Sequence, residues 1–245
     1  PSHHNPRKTA RIPRRDGSGP DPRAFFAEAS HFLCDLRTNN TRDWFNAHRE
    51  RYDRVIRHAS EAFCERLLPG LEGLTGHAMQ SRIFRMHRDV RFSKDKTPYH
   101  THLHIGFSRA DSGDEGSCGV GFLFGIETDR LVIGAGTLAF PNTLLAAYRT
   151  RVADETEGAY LADLLRHLTA SGFRPGTIEL KRPPPPFAQT HPHAELLRRK
   201  SLTALRDLTP DQVQAGGDLT ELYLTQAQAL FPLYRWITAV RDSAG

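Results

Sequence analysis

An α+β fold in a single domain is what this sequence predicts, and three observations carry the prediction. Apolar residues recur at helical spacing from about residue 21 to 70 and again from about 141 to 240. Between Arg82 and Leu138 the period changes to two. The two patterns are segregated along the chain rather than alternating, which argues against a parallel βαβ arrangement. Gly172-Phe173 and the Pro183–Pro186 run read as connections, because neither flank is self-sufficient. The expected organisation is a disordered basic tail over residues 1–20 and one domain over 21–242.

Asp21-Pro22 opens the first helix, a capping carboxylate before a proline in the first turn. Phe25, Phe26, Ala29, Phe32, Leu33 and Leu36 form its apolar stripe. Thr38-Asn39-Asn40 breaks it, and Thr41 caps the next. Trp44, Phe45, His48, Tyr52, Val55, Ile56, Phe63 and Leu67 then extend one long amphipathic helix towards Pro69-Gly70.

The strand region begins with Arg82–Phe92 and turns at Ser93–Pro98. Leu103, Ile105 and Phe107 follow, alternating with His100, His102 and His104. After a loop at Asp111–Ser117, Val120, Phe122, Phe124 and Ile126 alternate with Gly119, Gly121, Leu123 and Gly125. Glu127–Arg130 turns into Leu131 and Ile133. The result is an antiparallel sheet of about four or more strands. Helical spacing returns after Pro141-Asn142, through Leu144, Leu145, Tyr148 and Val152 to Leu161 and Leu168. Leu196, Leu197, Leu202 and Leu205 suggest a short helix. Leu222 to Ile237 forms a terminal helix bent at Pro232.

Composition narrows the function classes. No apolar run approaches the ~20 residues of a membrane span, and no apolar leader segment opens the chain. The net charge of +5 is misleading, because residues 1–23 hold six basic residues against Asp16 and Asp21 and so carry +4 of it. With a nearly neutral body, the basic tail offers at most a weak contact with nucleic acid or acidic lipid and reads first as a solvated tail. Cys34, Cys64 and Cys118 lack zinc-ligand spacing and form no disulfide framework, which suits a reducing, cytoplasmic setting. Cys34 and Cys64 read as small core residues, and Cys118 lies near a turn.

The chemistry concentrates in Arg82–Tyr99. As a strand, this segment puts Phe84, Met86, Val90 and Phe92 on one face and Arg85, His87, Asp89 and Arg91 on the other. Guanidinium groups flanking a carboxylate make either a self-satisfied ion network or an anion-binding surface. Gly119, Gly121 and Gly125 would floor the same sheet face, and glycine on a strand allows close approach to the backbone. Walker-type phosphate loops, dinucleotide fingerprints, nucleophile elbows and zinc-protease helices are absent.

Arg85-x-x-Arg88-Asp89-x-Arg91-Phe92, followed by Asp95-Lys96-x-x-Tyr99, resembles the signature of a bacterial family of conserved hypothetical proteins, a domain of unknown function. Asn39-Asn40-Thr41-Arg42-Asp43-Trp44-Phe45 with Tyr52 resembles that family's N-terminal block. Gly134-Ala135-Gly136, Pro141 and Arg149 resemble its middle block, with Leu138 where an aromatic residue is expected. His191-Pro192-His193-Ala194-Glu195-Leu196-Leu197 resembles its C-terminal block. The resemblance spans about residues 24 to 240 and implies no reaction, cofactor or partner.

The leading expectation is a protein that binds an anionic, phosphate-bearing small molecule or nucleotide. Arg85, Arg88 and Arg91 contact the anion, Asp89 orients the guanidiniums, and Lys96 and Tyr99 close the site. No residue identifies a bond to break, and no cofactor is implied. The rival is a structural or protein-interaction module with an internal Arg–Asp network. A lesser alternative is a metal-dependent hydrolase with His100, His102 and His104 beside Asp89, although solvated histidines are the commoner outcome of that spacing.

Overall fold

The computed structural model describes residues 22–111 and 119–243, with backbone alone for Pro22 and Arg23. The basic tail, the Asp21 cap, the 112–117 loop and Cys118 lie outside the described residues. Among those described, no helix is long and apolar enough to cross a membrane.

The apolar stripe of α1 (Pro22–Thr38) is buried from Phe25 to Leu36. Thr41 then caps α2 (Arg42–Ala47), its Oγ1 accepting from the Trp44 amide at 3.2 Å. The long helix expected next is interrupted. A short α3 (Arg49–Tyr52) passes into a π-helical turn at Asp53–His58, and α4 (Ala59–Thr75) continues beyond Pro69. Leu67 and Leu71 are fully buried on either side of that proline, which holds the helix in place across it. Gly76, in the left-handed region at φ 73°, provides its C-cap.

Among the described residues, six strands form one antiparallel sheet in the order β1-β2-β3-β4-β6-β5. They are β1 (Met79–Ile83), β2 (Leu103–Arg109), β3 (Gly121–Ile126), β4 (Leu131–Thr137), β5 (Arg174–Pro175) and β6 (Leu202–Leu208). Leu103, Ile105 and Phe107 face inwards with Phe122, Phe124, Ile126, Leu131 and Ile133. Against this face pack α1, α4 and the terminal α9 (Leu219–Asp242). Tyr223 of α9 meets the rings of Phe63, Phe107 and Phe124, and Tyr234 stacks on Phe122 at 4.6 Å. Between β4 and β5, α5 (Asn142–Ala153) and α6 (Glu155–Ala170) are separate helices, because Asp154 caps the second through the Glu157 amide. The short α7 (Ala194–Leu197) and α8 (Pro210–Ala215) flank β6.

Two further expectations are corrected. Residues 202–205 are strand rather than helix. A Cβ at Gly136 would collide with the Leu202 carbonyl, so glycine there lets β6 add to the open edge of β4. The Arg82–Phe92 strand, in turn, ends at Ile83. Beyond it the chain leaves the sheet as an irregular arm, residues 84–102, that returns into β2.

Candidate functional site

Intermittent antiparallel pairing holds the arm together. The Phe84 amide donates to the His104 carbonyl at 2.9 Å, His100 to Met86 at 2.7 Å, and Arg88 to Pro98 at 2.9 Å. If Phe84 lies opposite His104, regular register would place Met86 opposite His102, but it pairs with His100. Two extra residues therefore bulge out of the second strand, and such a bulge re-aims side chains. Pro98 has no N–H to extend the ladder. Alternation of exposure persists through Arg91, then fails at Phe92.

Three clamps fix the arm. The Asn40 amide pairs with the Tyr99 backbone in both directions, donating to its carbonyl at 2.9 Å and accepting from its N–H at 3.1 Å. The Tyr99 ring, 4% exposed, stacks on Phe45 at 4.1 Å. Near the tip, the Arg88 guanidinium donates to Asp95 at 2.6 Å and to the Thr97 carbonyl and hydroxyl. The Thr97 amide, then Arg88, hold the Asp95 carboxyl down to about 2.

The bulge gathers three imidazoles. His102 stacks on His104 with ring centroids 4.0 Å apart, and His100 lies tilted against His102 at 4.9 Å. His104 lies over Gly125, where a Cβ would come within 2.9 Å of the ring. Beside it, Phe84 lies over Gly106, with the Arg82 guanidinium 5.6 Å from its centroid. Burial lowers the pKa of all three histidines. His102, further opposed by charge on His104 and His100, falls to about 4. At neutral pH the stack is uncharged.

Two cavities flank this stack. The first, about 360 Å³, is lined by the three histidines on one side and by Phe84, Arg85, His87 and Asp89 of the arm on the other. The second, about 450 Å³, is lined by Arg37, Asn40, Arg88, Asp95 and Tyr99, and shares His100 and His102.

The expected site residues are thus divided. Arg85 and Asp89 line the first cavity, whereas Arg88 and Tyr99 line the second. Arg91 lines neither: it forks onto Asp89 at 2.7–3.2 Å, with side-chain exposures of 77% and 46%. Lys96 donates to the Val90 carbonyl at 3.0 Å and is exposed. Phe92, expected on the apolar face, is 96% exposed at the tip. Of the expected sheet-face set, His104, Gly121 and Gly125 do share the outer face. Arg85, unlike Arg88 and Arg91, has no hydrogen bond or ion pair among the described residues. Among those residues no group of three or more His, Cys, Asp or Glu side chains is placed to hold a metal ion. His102 and His104 stack rather than converge.

Sequence reasoning missed the Asn40 clamp and the Asp95 partner of Arg88. Asn40 had carried a helix-breaking signal and a place in the N-terminal block of the resemblance, but no sign of its pairing partner, which is 59 residues away.

Residues 28–236 match the family model described as Conserved hypothetical protein (DUF2461). No curated protein matches the sequence.

Proposed function

The chain belongs to the DUF2461 family of conserved hypothetical proteins, and from its site we propose that it binds an anionic, phosphate-bearing small molecule between the arm and the imidazole stack. One observation carries the reading: Arg85 lines the cavity without a hydrogen-bonded or ionic partner among the described residues. Arg85 then supplies the fixed positive charge, and the neutral histidines supply hydrogen bonds and a flat surface. A planar group such as a nucleobase continues the His102–His104 stack. Asp89, neutralised by Arg91, borders the site without repelling the anion at close range. No reaction is assigned to it.

The rival reading, an internal Arg–Asp network, fits the geometry less well, because both carboxylates of the arm are exposed. A thermal-shift screen of nucleotides, sugar phosphates and dicarboxylates at low salt tests the proposal. A phosphate compound should stabilise the protein, and Arg85→Ala should abolish that shift while leaving the unliganded melting temperature unchanged. Binding retained by Arg85→Ala, or no binder at millimolar concentration, would refute it.

A further inference from the structure

Each of the two cavities beside the imidazoles includes a guanidinium that pairs with no carboxylate among the described residues. Arg85 holds that position in the first cavity, and Arg37 of α1 holds it in the second. Arg37 is exposed, and its Nη1 donates to the Thr128 hydroxyl at 2.8 Å, which leaves its charge uncompensated. The nearby carboxylates are already taken: Asp35 by Arg51, Asp89 by Arg91 and Asp95 by Arg88. Arg88 also lines the second cavity, and its side-chain bonds to Asp95 and Thr97 all leave from Nη1. Its Nε and Nη2 are therefore unengaged by the described residues.

His100 and His102 line both cavities, so the cations stand on either side of a common wall. Burial is the main cause of the lowered His100 pKa, but charge on Arg88 and on Arg85 adds to it, so both guanidiniums lie close to that ring. A ligand with a single anionic group would answer the charge on one side of the wall and leave the other to water. The volumes, about 360 and 450 Å³, are each at the small end of the roughly 300–1,000 Å³ of ligand pockets. Together they give room for a nucleotide.

We infer that the ligand is a nucleotide with phosphate groups at two separated positions, one accepting from Arg85 and the other from Arg37 and Arg88 across the His100–His102 wall. The inference rests on the reading of the arm cavity as a phosphate site and extends it to the second cavity. Arginine suits both positions, because its planar fork matches phosphate oxygens and it stays charged at every working pH.

The experiment is a calorimetric titration of the full chain at low salt with adenosine 5′-monophosphate, adenosine 5′-diphosphate and adenosine 3′,5′-bisphosphate. The bisphosphate should bind at least about tenfold more tightly than the monophosphate, the effect of one further set of charge-assisted hydrogen bonds. The diphosphate places its added charge beside the first phosphate, so its gain should be smaller. Arg37→Gln, which keeps a donor for the Thr128 hydroxyl, should bring the bisphosphate down to the affinity of the monophosphate, and an unchanged melting temperature without ligand confirms that it folds. Arg88 stays in place, because its bonds hold the arm. An equal gain for diphosphate and bisphosphate would show that the site reads total charge and would overturn the inference, as would a preference for the bisphosphate retained by Arg37→Gln. Monophosphate binding that depends on Arg85, with no gain from the second phosphate, would overturn the inference and leave the arm cavity standing as a phosphate site. No binding of any of the three would overturn both.

Discussion

Asn40→Ala should release the arm, and its cost follows from the geometry. The Asn40 side chain makes two hydrogen bonds to the Tyr99 backbone, at 2.9 and 3.1 Å, next to a ring that is 4% exposed. Each such bond contributes about 1 kcal/mol net, and removing one side leaves the backbone N–H and C=O of Tyr99 to find water beside a buried ring. Together the loss is about 2 kcal/mol, or roughly 4–8 °C in Tm for a chain of this size. Asn40→Asp keeps the acceptor for the Tyr99 N–H and loses the donor, so it should fall between the wild type and Asn40→Ala. Asn39→Ala removes only an exposed bond to the Asp35 carbonyl and serves as the control. Urea denaturation measures the global effect, and hydrogen exchange at the Tyr99 amide measures the local one. A Tm for Asn40→Ala within about 1 °C of wild type, with Tyr99 still protected, would show that Phe45 stacking alone holds the arm.

Three further outcomes are expected. The folded state resists protonating His102, whose pKa is lowered to about 4, and His100 and His104 shift in the same direction. Arg85 and Arg88 oppose a proton on this stack while Glu127 favours one. The unfolded histidines titrate near 6.5, so the contribution is complete above about pH 6.5 and is lost as pH falls towards 4. Melting curves across that window should fall more steeply for wild type than for His102→Asn; equal slopes would contradict the assignment. Gly125→Val should displace the His104 ring, which a Cβ would approach to 2.9 Å, and raise the histidine pKa values by opening the stack to water. Proton NMR titration of the imidazoles reads this directly, and unchanged values would count against it. Arg91→Ala breaks an exposed pair and should leave the denaturation midpoint unchanged, whereas a large loss would restore the internal-network reading.

Much of the fold was legible because burial repeats at short range. The stripe from Phe25 to Leu36 and the alternation of Leu103, Ile105 and Phe107 each record which side of an element meets the core. Thr41 as a cap and Glu127–Arg130 as the turn into β4 were also readable, since their partners lie within a few residues. The arginine-rich segment was correctly a place where charge and apolar residues crowd together, but its conformation was not local information. Alternation from Phe84 to Asp89 looks like a strand. Whether it joins a sheet depends on Pro98, on two extra residues around His102 and on Asn40 of another element.

The same limit explains β6. Leu202 and Leu205 satisfy a helical period as well as an extended one, and the choice was made by the vacant edge of β4 with Gly136 at its contact. Side-chain type and spacing specify which face is apolar. Only tertiary structure decided that Arg88 finds Asp95, that Arg91 is spent on Asp89 at the surface, and that Arg85 remains without such a partner beside the imidazole stack. Ion pairing is set by distance in space, and a guanidinium on a long flexible stem takes whichever carboxylate the backbone brings near.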